Sequence, residues 1–183
     1  MNDISFVPLT TSDFHLLSRW LQAPHVSKWW NEGKIWSVKN IQEKYQSYTQ
    51  GYKIEEGEEK GIHAFIIQFK QQPVGYIQLY NAFDFPREGY QLKEIRKELP
   101  SSLAALDFYI GEPEYLGQGL GAAILKEFLM RHVFPYYAAC LADPDKHNKF
   151  AISAYSKAGF STYVDLENSI IMMAKKEVIR NPL

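Results

Sequence analysis

The chain has 183 residues and a formal net charge of −1, and 46% of its residues are hydrophobic. This length and composition predict a single folded domain over residues 1–183 and argue against a disordered chain. The near-neutral charge argues against nucleic acid as a partner. A single cysteine, Cys140, excludes an internal disulfide. The first residues carry no secretory signal pattern and no run is long enough to cross a bilayer, so we expect a cytoplasmic protein with no membrane partner.

Hydrophobic periodicity and turn residues predict a mixed order of strands and helices in the first half of the chain. The predicted elements are a strand over 4–8, a helix capped by Thr11 or Ser12 and ended by Pro24, a lead-in segment HVSKWW, a second helix over about 38–49, an acidic turn over 54–61, and two antiparallel strands around the turn Gln71-Gln72.

The second half alternates strands and helices more regularly. A long polar segment over 84–102 predicts a loop or lid with at most a short helix. The elements predicted after it are a strand at LAALDFYIG, a glycine loop, a helix stopped by Pro135, a nearly apolar central strand at YYAACLAD, a short helix closed by Gly159, and two final strands. The whole order predicts an α/β chain built on one sheet.

Three alternate glycines mark the strand-to-helix turn of the segment YLGQGLGAAIL. Gly117, Gly119 and Gly121 leave room for a ligand to approach the backbone amides at a helix N-terminus, an arrangement typical of phosphate sites. Ala122 and Ala123 stand where a nucleotide-binding P-loop needs Lys and Ser or Thr. The spacing G-x-G-x-G also differs from the dinucleotide-binding G-x-G-x-x-G. The loop therefore favours another pyrophosphate, and a tight turn without a ligand is the alternative.

The segment from DFYIGEPEYLGQGLGAAIL to HNKFAISAYSKAGF resembles the GNAT acyl-CoA N-acetyltransferases. The resemblance implies one mixed, mostly antiparallel sheet flanked by helices, acetyl-CoA as cosubstrate and no metal. Leu116 replaces the Gln or Arg usual in the family loop, which removes one side-chain donor and leaves the backbone donors. The residues implied to bind the cofactor are Tyr109, Ile110, Leu116, Gly117, Gln118, Gly119, Leu120, Gly121, Asn148, Ala151, Tyr155 and Lys157.

Two residues are candidates for the chemistry of acetyl transfer. The resemblance implies that Tyr155 lies near the thioester sulfur, where a phenol with a pKa of about 10 can protonate the departing thiolate. Asp107 is an acid in an otherwise apolar strand, and it matches a proposed catalytic aspartate of aminoglycoside 6'-N-acetyltransferases. With a pKa of about 3.9 it is a weak base, so it fits better as an ammonium anchor that passes the proton through water. Structural pairing of Asp107 and simple packing of Tyr155 are the alternatives.

The N-terminal half also resembles the aminoglycoside 6'-N-acetyltransferases, at HVSKWW, IQEKY and PVGYIQLY. The substrate residues that this resemblance implies are Trp30, Tyr45, Gln78, Asp107 and Asp143. HVSKWW resembles the siderophore N-hydroxylysine acetylases as well, whose carboxylate-bearing substrate would suit Arg87, Arg96 and Lys97. A non-catalytic coenzyme A-binding protein is the third alternative. The expected partner is a small-molecule amine, and the expected state is a monomer or homodimer.

Overall fold

The computed structural model describes residues 3–30, 35–85, 92 and 96–177. The helices are α1 (Phe14–Gln22), α2 (Pro24–Trp30), α3 (Val38–Tyr45), α4 (Leu120–Phe128) and α5 (Lys149–Lys157). The strands are β1 (Ile4–Pro8), β2 (Tyr52–Glu55), β3 (Glu58–Phe69), β4 (Gln72–Asn81), β5 (Leu103–Ile110), β6 (Ala139–Ala142), β7 (Ser161–Asp165) and β8 (Ile170–Lys175).

These eight strands of the described residues form one mixed sheet. Its order is β1-β3-β4-β5-β6-β8-β7, with β2 paired to β3 off this path. The pair β5/β6 is parallel, whereas β1/β3, β2/β3, β6/β8 and β7/β8 are antiparallel. The prediction of an α/β fold with one mixed, mostly antiparallel sheet flanked by helices is confirmed.

Contacts divide the chain into two compact units. The first unit comprises Met1–Gln78 and Asp107–Gln118, and the second comprises Leu79–Leu106 and Gly119–Leu183. The assignment of residues 1–183 to a single domain remains a prediction. Within the part of the chain that is described, no helix has both the length and the apolar character that a membrane span requires.

The N-terminus of α1 differs from the prediction in its capping residue. A short 3-10 turn, Thr11–Asp13, precedes the helix. Thr10 caps that turn and Asp13 is the N-cap of α1, so neither Thr11 nor Ser12 is the cap. Asp13 Oδ2 accepts hydrogen bonds from the Thr10 amide at 2.9 Å and from Thr10 Oγ1 at 2.7 Å. The hydrogen bonds between Thr10 and Asp13 therefore close the turn before α1, and Thr11 and Ser12 lie inside that turn.

Three further boundaries in the first unit depart from the predictions. HVSKWW belongs to α2, because Pro24 ends α1 and also opens the next helix, a position where its missing amide costs nothing. The second predicted helix ends at Tyr45 and continues as a 3-10 turn, Ser47–Gln50. The acidic segment 54–61 is a β-hairpin whose turn is only Glu56-Gly57, both with left-handed φ of 52° and 81°.

The second unit follows the predictions more closely. Helix α4 buries Ile124, Leu125 and Phe128 and runs into a π-helical turn, Leu129–Val133, before Pro135. All four residues of β6, including Cys140, are buried. Gly159 follows α5 with φ of 99°, as predicted for the helix end. In the predicted loop, residues 86–91 and 93–95 lie outside the described residues, so the lid stays a prediction there, and Arg96–Glu98 form a 3-10 turn.

Candidate active site

A chain of two hydrogen bonds links neighbouring strands of the first unit. On β4, Tyr76 and Gln78 are two residues apart and share one face of the sheet. The Tyr76 hydroxyl donates to Gln78 Oε1 at 2.8 Å, and Gln78 Nε2 donates to Asp107 Oδ2 on β5 at 2.7 Å. The catalytic candidate Asp107 and the substrate candidate Gln78 are thus in direct contact.

The direction of these bonds follows from the charge on Asp107. An ionised carboxylate only accepts hydrogen bonds, so the Gln78 nitrogen faces Asp107 and the Gln78 oxygen faces Tyr76. Asp107 and Gln78 are half-buried, and Asp107 stands in a strand whose residues Leu103–Leu106 are all buried. A partly exposed carboxylate that accepts a hydrogen bond from Gln78 is suited to binding a cationic group.

Aromatic rings surround this polar chain. Tyr76 stacks on Tyr109 with ring centroids 5.6 Å apart, and Trp30 packs edge-on against Tyr109 at 4.9 Å and against Tyr76 at 6.4 Å. Trp30 is half-buried. Tyr45 lies deeper, with 1% of its surface exposed and its ring 5.7 Å from that of Tyr76. Packing explains the position of Tyr45, and its contact with a substrate remains a prediction.

Two buried phenols in this cluster stay protonated. Burial raises the pKa of Tyr76 well above its ordinary value, with smaller contributions from Tyr45, Tyr109, Tyr48 and Asp107. Burial alone raises the pKa of Tyr109 in the same direction. Among the described residues, the Tyr109 hydroxyl is also a buried polar atom without a hydrogen-bond partner. Sequence reasoning gave Tyr109 a role only through its main-chain amide, and only its burial in the fold reveals the unpaired phenol.

The end of β5 is fixed to β4 and to α1. The Gly111 amide donates to the Val74 carbonyl at 2.8 Å. Glu112 Oε1 accepts a hydrogen bond from Trp20 Nε1 at 2.9 Å and forms an ion pair with Arg19. His25 Nε2 also lies 3.1 Å from the Ile110 carbonyl. These contacts hold the segment that leads to the glycine loop, and sequence reasoning did not identify Glu112.

The strands β4 and β5 come unusually close at one glycine. A Cβ built on Gly75 would lie 2.2 Å from the Tyr109 carbonyl oxygen and 3.1 Å from Ile110 Cα. Because Tyr109 and Ile110 are predicted to bind the pantetheine arm, Gly75 sets the position of backbone groups at the candidate cofactor site. Nothing local in the segment PVGYIQLY signals this role, since the close approach depends on β4 and β5 being neighbours.

The glycine loop has the geometry that an anion site requires. Gly117 and Gly119 adopt left-handed φ of 73° and 77°, and a Cβ added to either would meet nothing within 4 Å. Helix α4 starts at Leu120, so its first amides lack intrahelical acceptors. The Gln118 side chain donates to the Glu114 carbonyl, and Leu116 is 41% exposed. Open backbone at a helix N-terminus fits the pyrophosphate of a coenzyme A.

The remaining candidates lie in the second unit, around α5 and the end of β6. Asn148 caps α5 through Oδ1, which accepts from the Ala151 amide at 3.1 Å, so both residues are engaged in forming the helix start. Tyr155 is 5% exposed and packs edge-on against Phe160 at 5.2 Å, while Lys157 is exposed. Asp143 follows β6 and is half-buried. Their roles toward cofactor and substrate remain predictions.

A family model and a curated relative both match most of this chain. The GNAT acetyltransferase domain profile matches residues 10–167. An aminoglycoside N(6')-acetyltransferase type 1 of Klebsiella pneumoniae is 25% identical over 155 residues, which are 83% of this chain and 71% of that protein.

Two solved structures show how widely this fold is used. Aminoglycoside acetyltransferase AAC(6')-Ib, solved in complex with coenzyme A and kanamycin, has a TM-score of 0.77 at 22% identity, covering 97% of both chains. Spermidine N-acetyltransferase from Vibrio cholerae, solved with coenzyme A and spermine, has a TM-score of 0.71 at 14% identity, covering 98% of this chain and 99% of that one. At these identities the likeness shows the fold, and the domain match carries the assignment: the chain belongs to the GNAT family of acetyltransferases.

Proposed function

We propose that this chain transfers the acetyl group of acetyl-CoA to the 6'-amine of an aminoglycoside, by direct attack in a ternary complex. The observation that carries the proposal is Asp107, a half-buried carboxylate held by Gln78 among aromatic rings on the strand that leads to the glycine loop. The 25% identity to an aminoglycoside N(6')-acetyltransferase supports the choice of acceptor.

The glycine loop is the site for the cosubstrate. Its backbone amides and the first turn of α4 would bind the pyrophosphate of acetyl-CoA, because neither Gly117 nor Gly119 presents a side chain to a ligand. The amides near Tyr109 and Ile110 would bind the pantetheine arm and polarise the thioester carbonyl. Lys157 and the helix start at Asn148 are proposed to contact the same cosubstrate.

The acceptor site is proposed on the aromatic face of the first unit. Asp107 would bind an ammonium by charge and hydrogen bonding, and the half-buried ring of Trp30 would add cation–π attraction. Gln78 would supply a further polar contact to the sugar hydroxyls, and Asp143 remains a proposed substrate contact. A polycationic drug needs such acidic groups.

The reaction requires the nitrogen to lose two protons and the sulfur to gain one. The ammonium loses its first proton to water under the influence of Asp107, and the lone pair of the amine attacks the thioester carbonyl carbon. A C–N bond forms, the C–S bond breaks, and the electron pair leaves on sulfur. The acylated nitrogen then releases its second proton to water. Tyr155 donates its phenolic proton to that thiolate, giving free coenzyme A and the acetylated amine. Tyr155 recovers a proton from solvent. Holding both reactants together supplies much of the rate.

The test is thiol release from acetyl-CoA by the purified protein with kanamycin, which carries a 6'-amine. We expect Asp107→Asn to lower kcat/KM for kanamycin about 100-fold, since a charged hydrogen bond to the ammonium is lost. Tyr155→Phe should lower kcat about 100-fold with acetyl-CoA binding retained. Asp165→Asn is the matched control, because it removes an acid whose side chain is 68% exposed on β7.

Each outcome identifies the acceptor or removes one. Rapid release that depends on Asp107 and Tyr155 supports the proposal. Acetyl-CoA binding with no release on any aminoglycoside overturns it. Release with an N-hydroxylysine substrate instead would support siderophore assembly, and binding with no turnover on either amine would indicate a non-catalytic coenzyme A-binding protein. A cytoplasmic location is proposed as well, because the single cysteine suits a reducing compartment.

A further inference from the structure

The side chain of Gln78 is held from two sides, and the second side has no role in the proposed reaction. Its nitrogen serves Asp107 at 2.7 Å, while its oxygen accepts from a phenol at 2.8 Å. That phenol belongs to Tyr76, which is completely buried and cannot itself reach an acceptor in solvent. The question is what this buried hydroxyl does for the site.

A half-buried glutamine has an alternative place for its carboxamide. If the oxygen of Gln78 lacked a partner beside the sheet, the side chain could turn toward solvent and satisfy that oxygen with water. The same rotation would take its nitrogen away from Asp107. Tyr76 makes this rotation unfavourable, because its hydroxyl donates to the Gln78 oxygen while the Gln78 nitrogen stays hydrogen-bonded to the Asp107 carboxylate.

We propose that Tyr76 is a positioning residue for acetyl transfer: its hydroxyl holds the Gln78 carboxamide in the orientation that fixes the Asp107 carboxylate for the acceptor amine. The inference rests on the proposed function for the role of Asp107. Its own support is the continuous chain from a buried donor to a half-exposed acid across β4 and β5.

Three features of Tyr76 fit this role. Its ring is fixed by Tyr109, Trp30 and Tyr45 at centroid distances of 5.6, 6.4 and 5.7 Å, so the hydroxyl has a defined direction. Burial keeps the phenol neutral, which preserves the proton it donates to Gln78. The hydroxyl itself is engaged with Gln78 rather than aimed at solvent.

The kinetic test is a double-mutant cycle with Tyr76→Phe and Gln78→Met. Tyr76→Phe keeps the ring, and Gln78→Met keeps the side-chain length while removing both hydrogen bonds. We expect Tyr76→Phe to lower kcat for kanamycin acetylation about five- to tenfold, the value of one net hydrogen bond. The KM for acetyl-CoA should stay within about twofold. Once Gln78 is methionine, Tyr76→Phe should have no further effect on kcat.

A matched control separates positioning from packing. Tyr48→Phe removes the phenol oxygen of another buried tyrosine of the ring cluster, 4.9 Å from Tyr45 by ring centroid, and substitutes none of Tyr76, Gln78 and Asp107. Its kcat should equal that of the wild type. If the reductions in kcat from Tyr76→Phe and Gln78→Met multiply in the double variant, the two residues act independently and the inference is wrong. An unchanged kcat in Tyr76→Phe would also overturn it.

A spectroscopic readout distinguishes this failure from failure of the proposed function. The side-chain amide NMR signals of Gln78, assigned by their loss in Gln78→Met, should move in Tyr76→Phe and remain in place in Tyr48→Phe. If the wild type acetylates no aminoglycoside, the proposed function fails and these signals decide the inference. Movement in Tyr76→Phe alone supports the positioning of Gln78 on Asp107, and unmoved signals overturn it.

Discussion

Replacing Gly75 with alanine tests whether the close approach of β4 and β5 is required. The new Cβ would lie 2.2 Å from the Tyr109 carbonyl oxygen and 3.2 Å from its carbonyl carbon. Both atoms belong to the backbone of a central strand, so no side chain can move aside. The strands must separate by roughly 1 Å at this point to restore an ordinary contact.

The magnitude follows from the contacts that such a separation breaks. Overpacking of a buried position costs about 1–3 kcal/mol in free energy of unfolding. The nearby hydrogen bond from the Gly111 amide to the Val74 carbonyl, 2.8 Å long, would be stretched at a further cost of about 1 kcal/mol. We therefore expect Gly75→Ala to lower stability by about 3 kcal/mol, which corresponds to a fall in Tm of about 10 °C.

The assay is urea unfolding of Gly75→Ala beside Gly61→Ala. Gly61 also lies in a strand, β3, but a Cβ added there meets nothing within 4 Å. The free energy of unfolding of Gly61→Ala should lie within about 0.5 kcal/mol of the wild-type value, with a slight increase as the more favourable case. In Gly75→Ala the KM for acetyl-CoA should also increase, because Tyr109 and Ile110 move. Equal stabilities of the two variants would refute the steric argument.

Other positions give sharper tests of single contacts. Glu112→Gln should lower the free energy of unfolding by only about 0.5 kcal/mol, because the partly exposed ion pair with Arg19 is weak and Trp20 keeps an acceptor. Glu112→Ala should lower it by about 2 kcal/mol, because Trp20 then loses its acceptor. Thermal unfolding of the two variants checks this order. Tyr109→Phe should raise the free energy of unfolding by about 1 kcal/mol, because it removes a buried hydroxyl that has no hydrogen-bond partner in the part of the chain that the structure describes. Burial raises the pKa of Tyr109 in the folded state, so the phenol of the unfolded chain ionises first and the free energy of unfolding falls above a pH of about 10. Tyr109→Phe removes this contribution, so its urea midpoint should fall less steeply with pH in that range than the midpoint of the wild type. Gly119→Ala should cost about 1 kcal/mol at its left-handed φ and raise the KM for acetyl-CoA about tenfold in steady-state assays.

Local sequence signals predict the elements that depend on short-range patterns. The structure confirms three of these predictions: the apolar face of α4, the buried strand β6 and the glycine after α5. Local signals failed where one residue serves two elements or where charge conceals a strand. Pro24 ends one helix and begins the next, and Glu56, Glu58 and Glu59 of the segment 54–61 lie on exposed positions of a hairpin.

The candidate site shows a similar division. The glycine loop and Asp107 stand out from their immediate neighbours in sequence. The link between Gln78 and Asp107 does not, because it joins residues 29 positions apart and depends on which strands become neighbours. The same holds for Gly75 against Tyr109 and for Glu112 against Trp20. Contacts across a sheet require its register, which no local spacing encodes.

The burial of Cys140 in β6 has a practical consequence for experiments on this enzyme. It is the only cysteine of the chain, and none of its surface is exposed. A colorimetric thiol reagent added during turnover will therefore report released coenzyme A without a background from the protein. In the absence of substrate, the same reagent will react with Cys140 only as fast as the sheet opens around β6. The rate of that reaction therefore measures the opening of the native state.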